Sequence, residues 1–207
     1  MNNGILVVHV VPLSAFDNSP SLTLRQIEQD FRSFVPMGST TANGARINFD
    51  GVLKTSNADH QATQHRAYVQ LYRTGIIETV NSNLMATSSG TPIISNLDDI
   101  VIQAAIRSLN DLASVGIEPP YALFGSLIGV MGAQFNFSRG VNSRWYDNLG
   151  NRLDRDQYHF DEVIFETVPT ARADFAAIVR PILDQIANAG GAATSAIFDN
   201  QGHYIMP

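Results

Sequence analysis

Arginine and aromatic residues cluster between positions 139 and 155, and side chains of these types can together bind nucleic acid. The cluster contains Arg139, Arg144, Trp145, Arg152 and Arg155. A guanidinium group binds a phosphate through two parallel hydrogen bonds, and an aromatic ring can stack on a base. Aspartates in the same stretch offset much of the positive charge, so a surface ion-pair network is the alternative interpretation. The five residues are the candidate binding site that the sequence offers.

Four carboxylates that follow this stretch form a second candidate site. They are Asp154, Asp156, Glu162 and Glu166, and the two glutamates share one face of a predicted strand. Mg²⁺ accepts carboxylate oxygens as ligands, and a bound metal ion could support phosphodiester cleavage. A charged loop followed by a solvent-facing strand explains the same pattern without a metal. No spacing in the sequence forces these side chains to converge.

The other reactive residues point to no established chemistry. The chain has no cysteine, which excludes disulfides, thiol catalysis and the usual structural zinc sites. It also lacks the short motifs of phosphate loops, dinucleotide-binding folds, zinc proteases, serine hydrolases and EF-hands. His9 lies in an apolar run, where we expect a core histidine bonded to a neighbouring carbonyl group. The sequence therefore predicts no cofactor and favours a protein without catalytic activity.

Size and charge narrow the class of protein. The chain has 207 residues, from which we expect one domain spanning residues 1–207, and its formal net charge is -6. Non-specific binding of duplex DNA usually needs a basic excess, so a local arginine cluster is the expected route to any nucleic acid. No basic segment precedes the first apolar run, and the absence of cysteine suits a reducing compartment. These features predict a cytoplasmic protein.

Residues 66–80 predict a β-hairpin. Residues 68–72 alternate in polarity and are rich in strand-forming types, and Gly75 can adopt the positive φ that a hairpin turn needs. Two registers are possible. A two-residue turn would pair Leu71 with Glu78, whereas a type I turn closed by a glycine bulge pairs Leu71 with Ile77. The bulged register is preferred because it keeps apolar residues on one face.

The order of the predicted elements indicates the fold class. Capping residues and apolar periodicity predict three main helices, at residues 23–34, 96–115 and 170–188, and Pro181 should kink or divide the last one. Strands are predicted at residues 5–11, 46–55, 68–72, 76–80 and 163–168, with one or two more within 121–137. The continuous apolar run at 5–11 predicts a central strand covered on both faces, and turns are predicted at Asn43 and Gly44 and around residues 88–92. The order lacks regular strand-helix alternation. It predicts an α+β fold with a mixed, mostly antiparallel sheet on which the three helices pack.

One uncharged segment, residues 119–138, is long enough to be tested as a membrane span. Two prolines open it, glycines interrupt it, and polar and aromatic residues alternate near its end. These features favour strands, so no membrane association is predicted.

Six segments carry a resemblance to a known family, and together they cover nearly the whole chain. The chain resembles the region that follows the Schlafen-type AlbA-like domain in many bacterial proteins. The matching segments are LVVHVVPLSAF at 6–16, RINFDGVL at 46–53, YVQLYRTGIIETV at 68–80, GIEPPYALFGSLIGVMG at 116–132, LDRDQYHFDEVIFE at 153–166 and the terminal helix that ends at Gly190. The resemblance implies a bacterial module beside an AlbA-like domain or subunit that is linked to nucleic-acid or nucleotide binding. It transfers no active site, and it implies that this chain is a fragment or one subunit of a larger system.

Three functions remain open from the sequence. The first is a non-enzymatic binding or sensing module that assists nucleic-acid or nucleotide recognition. The second is a metal-dependent nuclease or nucleotide hydrolase that uses the carboxylates between positions 154 and 166. The third is a structural module that forms a homo-oligomer, with the hairpin edge or the strand beginning at Tyr121 pairing between copies.

Overall fold

The protein combines two β-sheets with two α-helices in the part of the chain that is described. This computed structural model describes residues 3–17, 22–23, 25, 34–56, 65–137 and 149–205. The α+β class and the mostly antiparallel pairing are confirmed. The predicted single sheet is not confirmed, because two sheets are present. Two of the three predicted helices are present, and the first, at 23–34, lies almost entirely outside the described residues.

Within the described residues, twelve strands and two helices form the framework. The strands are β1 (Ile5–Pro12), β2 (Asn43–Ile47), β3 (Gly51–Thr55), β4 (Ala67–Tyr72), β5 (Ile77–Asn81), β6 (Met85–Ser88), β7 (Thr91–Ser95), β8 (Tyr121–Ile128), β9 (Gln134–Asn136), β10 (Leu149–Arg152), β11 (Gln157–His159) and β12 (Val163–Phe165). The helices are α1 (Leu97–Ser114) and α2 (Arg172–Ala189). A short 3₁₀ helix, Leu13–Phe16, follows β1.

The large sheet has eight strands in the order β11-β8-β1-β5-β4-β3-β2, and β12 also pairs with β8. β1 is central, as its apolar run predicts. The expectation that β1 is covered on both faces was wrong, because Leu6, Val8 and Val10 are buried whereas Ile5, Val7 and His9 between them are only partly buried. Continuous apolar sequence therefore does not require cover on both faces here.

The predicted hairpin and its bulged register are confirmed in β4 and β5. Leu71 pairs with Ile77 and Gln70 pairs with Glu78. Gly75 has a φ of +85°, and its N–H donates to the carbonyl oxygen of Tyr72 at 2.9 Å. The hairpin lies inside the sheet between β3 and β1, and β8 lies between β1 and the pair β11 and β12. Neither position leaves an edge for pairing with a second copy, which corrects that part of the oligomer hypothesis.

The predicted strand at 46–55 is a second hairpin. The Asn48 side-chain oxygen accepts hydrogen bonds from the backbone N–H groups of Asp50 and Gly51, at 3.1 and 2.8 Å. This turn reverses the chain, so that β2 pairs with β3 and forms one edge of the sheet. The Asn43 and Gly44 turn that the sequence predicts is instead part of β2. Asparagine side chains mimic a backbone turn in this way.

The small sheet has the order β10-β9-β7-β6, and its β7 and β9 are parallel. The predicted turn near residue 90 connects β6 to β7, with positive φ at Ser89 and Gly90. The uncharged segment tested as a membrane span forms β8 and β9, as predicted. Among the described residues, no helix has the length and apolar character needed to cross a bilayer.

Both described helices pack against one face of the large sheet and against each other. α1 begins after Asn96, as predicted, but Asn96 is in the left-handed region and its side chain makes no capping hydrogen bond. α2 continues through Pro181, so Pro181 does not divide this helix, and the predicted kink stays a prediction. Residues of the helices, of both sheets and of the segment around Ile197 belong to one hydrophobic core.

Candidate functional site

A polar cleft of about 430 Å³ lies between the β10–β11 segment and the C-terminal end of α2. Arginine, amide, carboxylate and phenol groups contribute most of its surface. The lining residues are Asn151, Arg152, Asp154, Arg155, Tyr158, Gln185, Asn188, Ala189 and Gly191. The volume is in the range of clefts that bind small organic ligands.

A close approach of two glycines joins the walls of the cleft. The backbone N–H of Asn151 donates to the carbonyl oxygen of Gly190 at 2.7 Å. A Cβ atom on Gly150 would lie 2.6 Å from that same oxygen, so only glycine lets β10 come this near to the end of α2. Leu153 is buried and exchanges backbone hydrogen bonds with the 132–133 segment, which anchors the loop between β10 and β11.

The β10–β11 wall carries two exposed guanidinium groups. Arg155 Nε lies 3.9 Å from Asp154 Oδ1, a loose ion pair between exposed side chains. The Tyr158 hydroxyl donates to the same Asp154 oxygen at 2.7 Å, and burial together with this bond raises the pKa of Tyr158. No hydrogen bond or ion pair within the described part of the chain involves the Arg152 side chain. Arg152 therefore has its bidentate donors available for an anion.

The opposite wall is formed by amide side chains that are held in place. Gln185 accepts a hydrogen bond from the Asp161 backbone N–H at 2.9 Å and donates to the Asp161 carboxylate. Asn188 donates to the carbonyl oxygens of Ala192 and Ala193, at 2.9 Å each. Its side-chain oxygen remains as an acceptor at the cleft. The cleft can therefore bind an anionic group on one wall and a hydrogen-bond donor on the other.

Part of the predicted binding cluster lines the cleft. Arg152 and Arg155 belong to its wall. Arg139, Arg144 and Trp145 lie outside the described residues, in the segment that connects β9 to β10. The sequence did not predict the α2 wall, because residues 185–191 are distant in the chain from residues 151–158. The tertiary fold brings them together, through the contact between Gly150 and Gly190 and the hydrogen bonds between Gln185 and Asp161.

The predicted metal-binding carboxylates do not form one group. Asp154 is bound by Tyr158, and Asp156, Glu162 and Glu166 are all exposed. Glu162 and Glu166 lie on either side of the three-residue strand β12, which is shorter than predicted. Among the described residues, which include all four carboxylates, no three histidine, aspartate or glutamate side chains are placed to hold a metal ion. The described structure thus gives the hydrolase hypothesis no support.

A polar cluster that the sequence did not predict lies on the large sheet. His9 Nε2 donates to Glu78 Oε2 at 2.7 Å, and the Tyr68 hydroxyl donates to Glu78 Oε1 at 2.6 Å. The His9 bond, opposed by burial and aided by Tyr68, lowers the pKa of Glu78. The prediction that His9 is a core histidine bonded to a carbonyl group was therefore wrong. The register of β1 against β5 brings His9 opposite Glu78, and no local sequence pattern gives that register.

Gly150→Ala is expected to destabilise the protein by about 1–3 kcal/mol and to distort the cleft, because a backbone oxygen cannot move aside as a flexible side chain can. Urea unfolding would measure the loss. Gly132→Ala is a suitable control, since its φ is +77° but nothing lies within 4 Å of the added atom, so it shows the cost of backbone strain alone. An unchanged midpoint for Gly150→Ala would show that the close approach is not structurally important.

The geometry of the cleft is the main guide to function, because comparison with known proteins gives no information about function. No protein-family model, curated protein or solved structure matches the chain. The resemblance to the region that follows the Schlafen-type AlbA-like domain accordingly stays a prediction from the sequence.

Proposed function

We propose that the protein is a non-enzymatic binding module that holds a phosphate-bearing ligand, a nucleotide or the end of a nucleic acid, in the cleft. The observation that carries the proposal is the pair of arginines on one wall, of which Arg152 makes no hydrogen bond or ion pair within the described part of the chain. Arginine binds phosphate oxygens through two parallel hydrogen bonds, and such charge-assisted bonds are about twice as strong as neutral ones.

The size and charge of the protein favour a short ligand. A volume of about 430 Å³ accommodates a mononucleotide and not an extended duplex. The net charge of -6 also opposes long polyanions, since their non-specific affinity depends on many Lys and Arg contacts. Asn188 offers an acceptor on the opposite wall, where a base could donate a hydrogen bond.

The composition of the cleft supports binding more than turnover. Among the described lining residues there is no serine, threonine or histidine to serve as an activated nucleophile or a general base. Asp154, the one lining carboxylate in the described part, is bound by Tyr158 and lies near Arg155. We further propose that the module works in the cytoplasm beside an AlbA-like domain or subunit, as the family resemblance implies.

The Arg152→Gln/Arg155→Gln double variant is expected to bind a phosphate-bearing ligand at least about tenfold more weakly than the wild type, because each lost charge-assisted bond is worth about 1.5–3 kcal/mol. Calorimetric titration at low salt with inorganic phosphate, adenosine monophosphate and a short single-stranded oligonucleotide would measure the affinities. These probes separate phosphate recognition from base recognition.

Arg66→Gln provides the matched control, because Arg66 is exposed and lies outside the cleft. It removes one charge and should leave the affinity almost unchanged after correction for net charge. Equal affinities of the wild type and the double variant for every probe would contradict the proposal, as would the absence of binding by the wild type.

A further inference from the structure

Of the described residues that line the cleft, Asp154 alone carries a charge that opposes the proposed ligand. It lies on the same wall as Arg152 and Arg155, and its side chain is 78% exposed. A carboxylate repels a neighbouring phosphate group, so a negative charge here weakens phosphate binding unless the ligand also makes a favourable contact with it. The two arginines account for the phosphate, which leaves the role of Asp154 to be explained.

One oxygen of the Asp154 carboxylate is held within the chain, and the other is not. Oδ1 accepts a hydrogen bond from the Tyr158 hydroxyl at 2.7 Å, and Arg155 Nε lies 3.9 Å from the same oxygen. Within the described part of the chain, no hydrogen bond or ion pair involves Oδ2. The Tyr158 bond therefore restrains the carboxylate and leaves one acceptor oxygen for a ligand.

The position of Asp154 relative to Arg152 suits two adjacent groups of one nucleotide. Between them lies Leu153, which is buried and exchanges backbone hydrogen bonds with Gly132 and Ala133. Alternate residues of an extended chain point to the same side and lie about 7 Å apart. Arg152 and Asp154 accordingly both line the cleft. A ligand whose phosphate is bound by Arg152 can therefore present its adjoining sugar to Asp154.

Sugar hydroxyl groups are hydrogen-bond donors that match a free carboxylate oxygen. A bond from a hydroxyl group to a charged acceptor is stronger than one between neutral groups. In dinucleotide-binding folds an acidic side chain binds a ribose hydroxyl group in this way. The 2′-hydroxyl group is the one that distinguishes ribonucleotides from deoxyribonucleotides. A carboxylate beside the sugar therefore makes a favourable contact that a carboxylate beside the phosphate cannot make.

We propose that Asp154 binds the ribose 2′-hydroxyl group of the ligand, so that the cleft selects a ribonucleotide, free or at the end of an RNA, over its deoxy counterpart. This assignment rests on the proposed function, because it requires the phosphate to lie at Arg152. Asp154 is then a specificity-determining residue. Its repulsion of the phosphate is offset only when the sugar carries the 2′-hydroxyl group.

Calorimetric titration of the full chain with adenosine monophosphate and its 2′-deoxy counterpart tests the proposal, because these two ligands differ by one hydroxyl group. We expect the wild type to bind the ribonucleotide at least about fivefold more tightly. In Asp154→Ala this preference should disappear, while the affinity for the deoxynucleotide stays equal or rises because the repulsion is removed. Phosphorylated tetraadenylate, in its ribose and deoxyribose forms, distinguishes an RNA end from a free nucleotide as the ligand.

Asp156→Ala is the matched control, because it removes an exposed carboxylate that is two residues away and does not line the cleft. It should leave the ratio of the two affinities unchanged. Circular dichroism would establish that each variant remains folded. If Asp154→Ala does not fold, Asp154→Asn takes its place, since it retains an oxygen for the Tyr158 hydroxyl and should lower the preference at least about twofold.

A preference for the ribonucleotide that is present in the wild type and in Asp156→Ala but lost in Asp154→Ala supports the proposal. Equal affinities of the wild type for the two nucleotides overturn the sugar contact and leave the proposed function intact. A preference that persists in Asp154→Ala, or that disappears in Asp156→Ala as well, also overturns it. A wild type that binds neither nucleotide contradicts the proposed function, and the sugar contact with it.

Discussion

The Asp111→Asn variant should be more stable than the wild-type protein at about pH 8 and equally stable at about pH 4. Most of the stability that the wild type loses between these two pH values should therefore be retained in the variant. Asp111 lies near the C-terminal end of α1. Burial raises its pKa to about 7, even though Arg107 and Lys54 attract the ionised form. A negative charge in this part of a helix also meets the negative end of the helix dipole.

The direction follows from the two pKa values of Asp111. The folded value, about 7, lies above the ordinary value of 3.8, so the folded protein holds the proton more tightly than the unfolded chain does. The contribution to stability is complete below pH 3.8 and is lost as the pH rises through about 7. A shift of this size corresponds to about 4 kcal/mol at most, since one pKa unit is worth about 1.4 kcal/mol.

Urea unfolding at several pH values between about 4 and 8 would measure the effect. Asparagine retains the shape of the side chain and removes only the titration. Glu118→Gln is the control, because it removes an exposed carboxylate beyond the end of α1 and should leave the pH profile unchanged. Parallel profiles for Asp111→Asn and the wild type would contradict the assignment of the pH dependence to Asp111.

Phe165→Ala is expected to lower the free energy of unfolding by about 3–5 kcal/mol, which is the range for removing a buried aromatic ring. Phe165 is fully buried in β12, and its ring centroid lies 6.0 Å from that of Phe175 in α2. The substitution leaves a cavity where α2 contacts the sheet. Because α2 also forms one wall of the cleft, we expect weaker ligand binding at temperatures close to the unfolding transition.

Denaturant unfolding and calorimetry would measure this loss. Phe165→Leu is the matched control, because leucine fills most of the volume and should cost less than half as much as alanine. A loss below about 1 kcal/mol for Phe165→Ala would show that the helix and sheet can close around the cavity.

Local patterns predicted the elements whose geometry is determined within a few residues. The β4–β5 hairpin was correct in its register, because Gly75 allows the bulged turn and the alternation of Val69, Leu71 and Ile77 permits one buried face. The position of α1 was also correct. The β2–β3 hairpin was not predicted, because its segment alternates in polarity like a single strand. Its turn is nevertheless formed locally, by hydrogen bonds to the Asn48 side chain.

Contacts between distant segments could not be predicted in the same way. The small sheet requires parallel pairing of Ile93 with Gln134, and no turn in the sequence indicates such pairing. The same limit applies to the candidate site. Arg152 and Arg155 were identified by their side-chain type, but the wall that contains Gln185 and Asn188 is brought to them by the tertiary fold. For the same reason, Glu78 could be placed in the predicted hairpin, but its hydrogen bond with His9 could not be predicted.

The position of β8 affects the order in which the protein can fold. β1 leaves the ribosome first, but one of its two neighbours, β8, follows about 110 residues later, and β8 itself needs β11 and β12 on its other side. During synthesis, β1 therefore lacks both neighbours until β5 follows about 70 residues later, and it then has β5 alone until β8 is made, with an unpaired edge exposed to aggregation. β8 thus joins an early strand, β1, to the late strands β11 and β12, and the sheet is completed only after most of the described chain has been made.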